Sequence, residues 1–332
     1  MSASPIQHTK RIPKLGMPYM GSKRKIASKI INYILEQNPN AKYFYDLFGG
    51  GGAMSFEALQ RPQIKQVHYN EYNTGVFELL KDILDHGVTD KYYQWIDRET
   101  FMKNKNRDTW LGGLCKVIWS FGNIQRTYLF SKDKEEYKKL LHEIVVNNCD
   151  ESLSFFNRKY QTHLRLDRES RLLHEETIQE RRHKVTRHIK RELGRVDQLE
   201  YLPRIENLQR IQNMGQMEQF KITNLSYEMV DINTSKDETI IYLDPPYKNA
   251  GKYQKNIDHD KLSIYIEKSP YKIYMSEYKS KMDCVLEIEH YTNFNTAYTK
   301  KTTEKLFTNK VKELKNDNHE IEETLEHREV MS

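Results

Sequence analysis

Apolar residues recur every fourth position at Ile26, Ile30 and Ile34. This spacing predicts an amphipathic helix over residues 23–36, with Ser22 as its N-cap and Asn38-Pro39-Asn40 as its breaker. The pattern then shortens. Tyr43-Phe44-Tyr45, ending at Asp46, and Gln66-Val67-His68-Tyr69, ending at Asn70-Glu71, have the character of buried strands. Between them lie the run Gly49-Gly50-Gly51-Gly52 and a helical stretch over 53–59, and a further helix is predicted over 74–84. The order strand, glycine turn, helix, strand, acid opens an α/β doubly wound domain.

From about residue 91 to 217 the pattern becomes helical, basic and aromatic. Ile178, Val185, Ile189 and Leu193 share one face of a helix, and Lys184, Arg187, Arg191 and Arg195 fall roughly opposite. The α/β pattern then returns. Phe220-Lys221-Ile222, the run Thr239-Ile240-Ile241-Tyr242-Leu243 and Lys272-Ile273-Tyr274-Met275 are predicted strands. The division expected is residues 1–90 and 218–309 as two parts of one catalytic α/β domain, 91–217 as a helical basic insertion, and 310–332 as a charged tail.

Composition narrows the class. With 37% hydrophobic residues the chain of 332 can build a core, and no apolar run approaches a membrane span. Residues 1–15 lack an apolar signal segment, and three scattered cysteines suggest neither a disulfide framework nor a zinc site. A reducing cytoplasm, no metal and no membrane are therefore expected. The net charge of +6 gains meaning from its distribution: residues 158–195 hold 12 Lys/Arg against 6 Asp/Glu. Such a stretch is either a polyanion-binding surface or a solvated helix face.

The glycine run carries the first candidate chemistry. Ala53-Met54 excludes a P-loop ending, and no G-x-G-x-x-G can be laid over residues 49–55. A nucleoside-type cofactor or a purely structural turn remains. Glu71, at the end of the next strand, can accept the hydroxyls of a ribose or can simply face solvent. In Pro18-Tyr19-Met20-Gly21-Ser22-Lys23 a helix start and a lysine can hold the carboxylate of an amino acid, or form an ordinary cap.

Asp244-Pro245-Pro246-Tyr247 is more specific. It follows a predicted strand at its carboxyl end, where α/β folds bind ligands. Consecutive prolines fix φ and remove donors, so the loop offers a carboxylate, a rigid carbonyl and an aromatic face. That set suits an amino group on a planar base.

Taken in order, these segments resemble the D12-class (Dam-type) adenine-N6 DNA methyltransferases. The resemblance rests on residues 18–23, 46–52, Asn70-Glu71-Tyr72-Asn73, a variable insertion, residues 244–247 and Ser276-Glu277-Tyr278, and it covers roughly 15–90 and 216–309. It implies a Rossmann-like, S-adenosylmethionine-dependent α/β sheet with an inserted, mainly helical target-recognition domain. Tyr19, Lys23, Asp46, Phe48, Gly49, Gly51, Glu71, Asn224, Leu225 and Asp244 would bind the cofactor. Asp244, Pro245, Pro246 and Tyr247 would act on a flipped adenine. Residues 119–128 resemble a DNA-contacting region, which makes Asn123, Arg126 and Tyr128, together with Lys184, Arg187 and Arg191, the expected DNA contacts.

Two departures from the family pattern stand out. Glu71 replaces the more usual Asp, and Ser226 stands where an Asp for the cofactor adenine often lies. The resemblance further implies double-stranded DNA as substrate, a cognate restriction nuclease as partner and a bacterial or phage-infected cytoplasm. An RNA-adenine enzyme and a catalytically weak DNA-binding relative stay open; a cytosine-N4 enzyme usually shows Ser-Pro-Pro-Tyr instead.

Overall fold

The computed structural model describes residues 15–165, 177–194, 199–215, 218–247, 257–295 and 298–309. The charged tail from 310 and Arg195 lie outside them. The chain divides into two compact units, residues 1–232 and 233–332.

The first unit begins with a 3-10 turn, Lys23–Lys25, followed by helix α1, Ala27–Gln37. One continuous helix from residue 23 was expected. It is interrupted at Ile26, which has φ −122° and ψ −6°, and Ser22 makes no side-chain cap bond. The apolar spacing held nonetheless, because Ile26, Ile30 and Ile34 are all buried.

Three parallel strands follow: β1 (Tyr43–Asp46), β2 (Gln66–Asn70) and β3 (Phe220–Thr223), in the order β3-β2-β1. Helix α2 (Ala53–Leu59) connects β1 to β2, and α3 (Thr74–His86) follows β2. Parallel strands need such crossovers, and their two-sided burial explains the apolar, aromatic runs.

Between α3 and β3 lie α4 (Arg98–Asn104), α5 (Trp110–Val117), α6 (Lys132–Val145), α7 (Asp150–Tyr160), α8 (Ile178–Leu193) and α9 (Leu202–Gly215). Gly113 lets α5 approach α3 closely, since a Cβ there would lie 2.0 Å from the Gly75 carbonyl oxygen, and Gly112 makes room for the Arg107 carbonyl oxygen, 2.1 Å from where its Cβ would sit. These helices enclose an aromatic cluster. Trp119 stacks on Tyr201 at 4.3 Å between ring centroids and meets Trp95 edge-on at 5.2 Å. Arg204 of α9 donates to the carbonyls of Ile118 and Ser120 at 2.7 and 3.0 Å, tying the helix to the segment after α5. Helix α8 matches its predicted pattern: Val185 and Ile189 are buried, and a capping box of Thr177 and Glu180 starts it.

The second unit holds β4 (Thr239–Leu243), α10 (His259–Lys268), β5 (Lys272–Glu277), β6 (Asp283–Asn295) and β7 (Tyr298–Thr308). Strands β4 and β5 are parallel, whereas β7 runs antiparallel to both β5 and β6, giving the order β4-β5-β7-β6. In this unit two parallel strands joined by a helix are completed by an antiparallel strand slotted between two others, an α/β arrangement. The long β6–β7 hairpin does not follow from the sequence pattern. Its alternating charges form cross-strand pairs, such as Lys305 with Glu287 at 2.6 Å and Lys301 with Glu289 at 2.8 Å.

Candidate active site

In the first unit, the glycine loop leaves β1 at its carboxyl end and closes on the end of β2. Gly49 N–H donates to the Asn70 carbonyl at 2.8 Å, and Tyr69 Oη donates to the Gly50 carbonyl at 2.8 Å. A Cβ on Gly49 would sit 2.2 Å from the Tyr69 ring, and one on Gly51 would sit 2.5 Å from the Met17 carbonyl oxygen. At both positions the missing side chain makes room for the protein's own chain. Asp46, at the end of β1, is buried and accepts from Ser55 Oγ at 2.7 Å, which fixes the loop to the start of α2.

Glu71 is buried and both its carboxylate oxygens accept backbone N–H groups: Oε2 from Gly50 at 2.6 Å and Oε1 from Asn73 at 2.7 Å. Burial pushes its carboxyl up to about 7, while the bonds from Asn73 and Gly50 and the charge of Lys116 oppose that rise. Lys116, buried on α5, donates to Asn73 Oδ1 at 2.8 Å.

Asn70 organises the next strand end. Its Nδ2 donates to the carbonyls of Leu47 and Leu225 at 3.1 and 3.0 Å, and its Oδ1 accepts from Thr223 Oγ1 and Leu225 N at 2.8 and 3.0 Å. One fully buried amide thereby ties β1, β2 and the turn after β3 together. Asn224 adds a bond to the Glu71 carbonyl at 2.5 Å. The sequence pattern marks Asn70 only as a strand end and gives no sign of Lys116. A polar residue beside an acid at a buried strand end was the available signal for Asn70.

Phe48 and Tyr227 face each other with ring centroids 5.3 Å apart, and Leu225 is exposed on the same turn as Asn224. Ser226 bonds the carboxylate of Glu228. Lys23 is buried and donates to the Gly21 carbonyl at 3.2 Å. The buried hydroxyl oxygen of Ser22 has no hydrogen-bond partner among the described residues. Because α1 begins only at Ala27, the expected helix N-terminus is not at Ser22. Ser22 instead directly precedes the 3-10 turn that Lys23 opens.

In the second unit, Asp244-Pro245-Pro246-Tyr247 leaves the fully buried strand β4, whose Tyr242 hydroxyl is 2.7 Å from Ser276 Oγ on β5. Tyr247 donates its hydroxyl to Glu304 on β7, and its ring meets Tyr278 edge-on at 4.6 Å. Burial, with the carboxylates of Asp244 and Glu304, pushes the Tyr247 phenol far above its usual range.

The expected DNA contacts separate. Lys184, Arg187 and Arg191 are exposed on α8. Arg126 is exposed on a loop that begins with the 3-10 turn Phe121–Asn123 and closes with an antiparallel bridge between Ser120 and Tyr128. The Asn123 side chain lies outside what is described. Tyr128 departs from expectation: it is 3% exposed and donates to the Ile96 carbonyl at 2.6 Å, so its hydroxyl serves internal packing. Phe121, passed over as a contact, is 61% exposed on that loop.

An α/β fold with a glycine loop, a strand-end acid and an Asp-Pro-Pro-Tyr turn fits the chemistry of methyl transfer to an amino group. The chain belongs to the D12 class N6 adenine-specific DNA methyltransferase family, whose model matches residues 19–327. Its reaction is therefore site-specific methylation of adenine in DNA. No curated protein matches the chain significantly. A solved structure named as a candidate methylase, HI0767 from Haemophilus influenzae, covers 88% of this chain and 91% of its own, at 12% identity and a TM-score of 0.27, too loose a likeness to bear on the site. Among the described residues no cluster of His, Cys, Asp or Glu could hold a metal, and no helix is long and apolar enough to cross a membrane.

Proposed function

We propose that the chain uses S-adenosylmethionine to methylate N6 of adenine in double-stranded DNA, with Asp244-Pro245-Pro246-Tyr247 as its catalytic loop. The observation that carries this reading is the loop itself: acceptors and an aromatic face at the end of a buried strand, with Tyr247 anchored through its hydroxyl.

The first unit fits the methyl donor. Ser22 Oγ is a buried polar atom awaiting a partner, and Lys23 beside it supplies a positive charge for the amino-acid carboxylate. Each oxygen of Glu71 keeps a lone pair for a ribose hydroxyl after accepting one N–H. Phe48, Leu225 and Tyr227 supply apolar surface for the adenine, with Tyr19, Asp46, Gly49, Gly51 and Asn224 shaping the loop and turn around it. When bound, S-adenosylmethionine supplies an electrophilic methyl group.

The N6 lone pair of adenine is delocalised into its ring. Hydrogen bonds from the amine to Asp244 and to the Pro245 carbonyl draw that nitrogen toward tetrahedral geometry and orient it for in-line attack. Pro246 stiffens the turn. As the new N–C bond forms, the methyl's bond to the donor sulfur breaks and leaves a neutral thioether, and the amine's proton passes by way of its acceptor Asp244 to solvent. Lifting the base from the duplex costs a few kcal/mol, and stacking on Tyr247 returns about 1–3 kcal/mol.

Residues 91–217 form the proposed target-recognition insertion. Lys184, Arg187 and Arg191 would contact phosphates, and the Phe121–Arg126 loop would approach bases. A cytoplasmic setting and a cognate restriction nuclease complete the proposal, since a site-specific mark shields its site from a nuclease of matching specificity.

Asp244→Ala tests the reading. It should abolish methyl transfer while the variant stays folded, and substantial residual activity would sink it. A titration with S-adenosylmethionine separates this from a catalytically weak relative, which would bind DNA without binding the donor. Single-molecule sequencing of DNA treated with the native chain would report the modified base and its context together.

A further inference from the structure

Glu304 is a buried carboxylate on β7, only 7% exposed. Strands β5 and β7 pair from Tyr274↔Thr308 to Glu277↔Lys305. Continuing that register sets Tyr278 opposite Glu304, one step beyond the last β5–β7 pair. These two residues are the ones that grip Tyr247: Glu304 accepts its hydroxyl, and Tyr278 meets its ring edge-on at 4.6 Å. The end of the β5–β7 ladder therefore forms a seat for the aromatic residue of the loop after β4.

A buried carboxylate is costly unless it is hydrogen-bonded, so this seat needs a reason beyond packing. A charge-assisted bond is shorter and stronger than a neutral one, and it fixes the donor's direction. Tyr247 has two free side-chain torsions, and an edge-on neighbour alone leaves the ring able to swing. With its oxygen pinned, the ring plane is set before any base arrives.

Tyr247 spends its proton on Glu304 and does not need it for the substrate. Burial and the nearby carboxylates push that phenol far above its usual range, which keeps it a hydrogen-bond donor.

We infer that Glu304 is a positioning residue for methyl transfer: it holds the Tyr247 ring, backed by Tyr278, at the attitude on which an extrahelical adenine stacks with its amine at Asp244. This rests on the assignment of the Asp244–Tyr247 loop as the catalytic one.

The test uses the full chain, tritiated S-adenosylmethionine and genomic DNA from cells lacking adenine methylation. Glu304→Ala should lower kcat about ten- to hundred-fold, the range expected for one hydrogen bond to a charged group. Donor and DNA dissociation constants should stay within about two-fold, since a positioning role gives Glu304 no contact with either ligand. Glu304→Gln keeps a carbonyl acceptor and should recover kcat to within about three-fold of the native chain. Tyr247→Phe removes the same bond from the other side and should slow turnover comparably. Combining Tyr247→Phe with Glu304→Ala should cost no more than the worse single change.

Native kcat in folded Glu304→Ala, failure of Gln to rescue, or losses that multiply in the double variant would each overturn the inference. If Glu304→Ala does not fold, Tyr247→Phe decides: native kcat there overturns it, and a drop with unchanged binding supports it. Asp244→Ala is run alongside. Its survival would remove the loop assignment and the inference together, whereas a dead Asp244→Ala with unaffected Glu304 variants would remove the inference alone.

Discussion

The backbone N–H of Gly50 donates to Oε2 of Glu71 across 2.6 Å, so the acid at the end of β2 clasps the glycine loop at the end of β1. The family more often places Asp there, and the extra methylene gives Glu71 its reach to Gly50. Shortening the side chain should loosen the clasp. Glu71→Asp is expected to bind S-adenosylmethionine within a few-fold of the native chain, because a carboxylate remains for the ribose. Glu71→Ala should weaken binding about ten-fold or more, the loss expected for hydrogen bonds to a charged group. Calorimetric titration reads both. Native affinity in Glu71→Ala would remove Glu71 from the cofactor site.

The same carboxyl makes a pH prediction. Its pKa is pushed from 4.5 to about 7 by burial. Between those values the folded chain holds a proton that the unfolded chain has released. Stability contributed by this group is therefore fully present below pH 4.5, declines as pH rises to about 7, and then levels off. A shift of that size corresponds to about 3 kcal/mol. Calorimetric Tm values of the ligand-free chain, measured from pH 5 to 8, should show a downward component absent from Glu71→Gln. Parallel curves for the two proteins would contradict it. Binding of the donor should strengthen over the same range, because the ionised form is the better acceptor for ribose hydroxyls.

Asn70 predicts a stability effect with a different signature. Asn70→Ala removes four hydrogen bonds and leaves the Leu47 and Leu225 carbonyls and the Leu225 N–H seeking partners, while the Thr223 hydroxyl keeps His68 Nε2 at 2.9 Å. The cost should be about 2–4 kcal/mol, since buried groups left unsatisfied lose their desolvation energy. Denaturant unfolding checks the magnitude, and a change under about 0.5 kcal/mol would show that water replaces the amide.

Local patterns exposed much of this architecture. Strand β4 and helix α2 fall where their apolar runs end, because a buried parallel strand and a short helix between Gly52 and Pro62 have sharp sequence edges. The break at Ile26 was invisible: the every-fourth apolar spacing survives a switch from 3-10 to α geometry. The β6–β7 hairpin was hidden for a different reason. Its buried apolar residues, Ile288, Leu306 and Phe307, are sparse among charged positions that pair across the strands, so no continuous apolar run marks it. At the candidate site, the Asp244–Tyr247 loop is contiguous and legible. Lys116 and Glu304 are distant in sequence from the residues they support, and only the fold brings Lys116 to Asn73 and Glu304 to Tyr247.

Tyr128 illustrates how a motif can mislead about a side chain. Its segment resembles a DNA-contacting one, yet its ring is buried against Phe101 and Trp119, and its hydroxyl serves Ile96. Tyr128→Phe should therefore lower stability by about 1–2 kcal/mol by leaving a buried carbonyl unpaired. DNA affinity per folded molecule should not change. A loss of affinity in a variant with native Tm would restore Tyr128 to the interface.

Helix α8 offers the remaining prediction. Its buried face, Val185 and Ile189, fixes which side meets solvent, and Lys184, Arg187 and Arg191 are exposed there. Arg181 and Arg182 are committed elsewhere: Arg181 donates to the Val145 carbonyl at 2.6 Å, and Arg182 pairs with Glu206 at 2.8 Å. If the exposed three neutralise phosphates, each releases condensed counterions, and the logarithm of affinity falls with the logarithm of salt by about 0.9 per contact. Replacing all three with Ala should reduce the slope by up to about 2.7 and weaken binding to specific and unrelated duplexes alike. Arg182→Ala should instead lower stability and leave the slope intact. Fluorescence anisotropy over a salt series measures both, and an unchanged slope in the triple variant would assign the basic face of α8 to solvent.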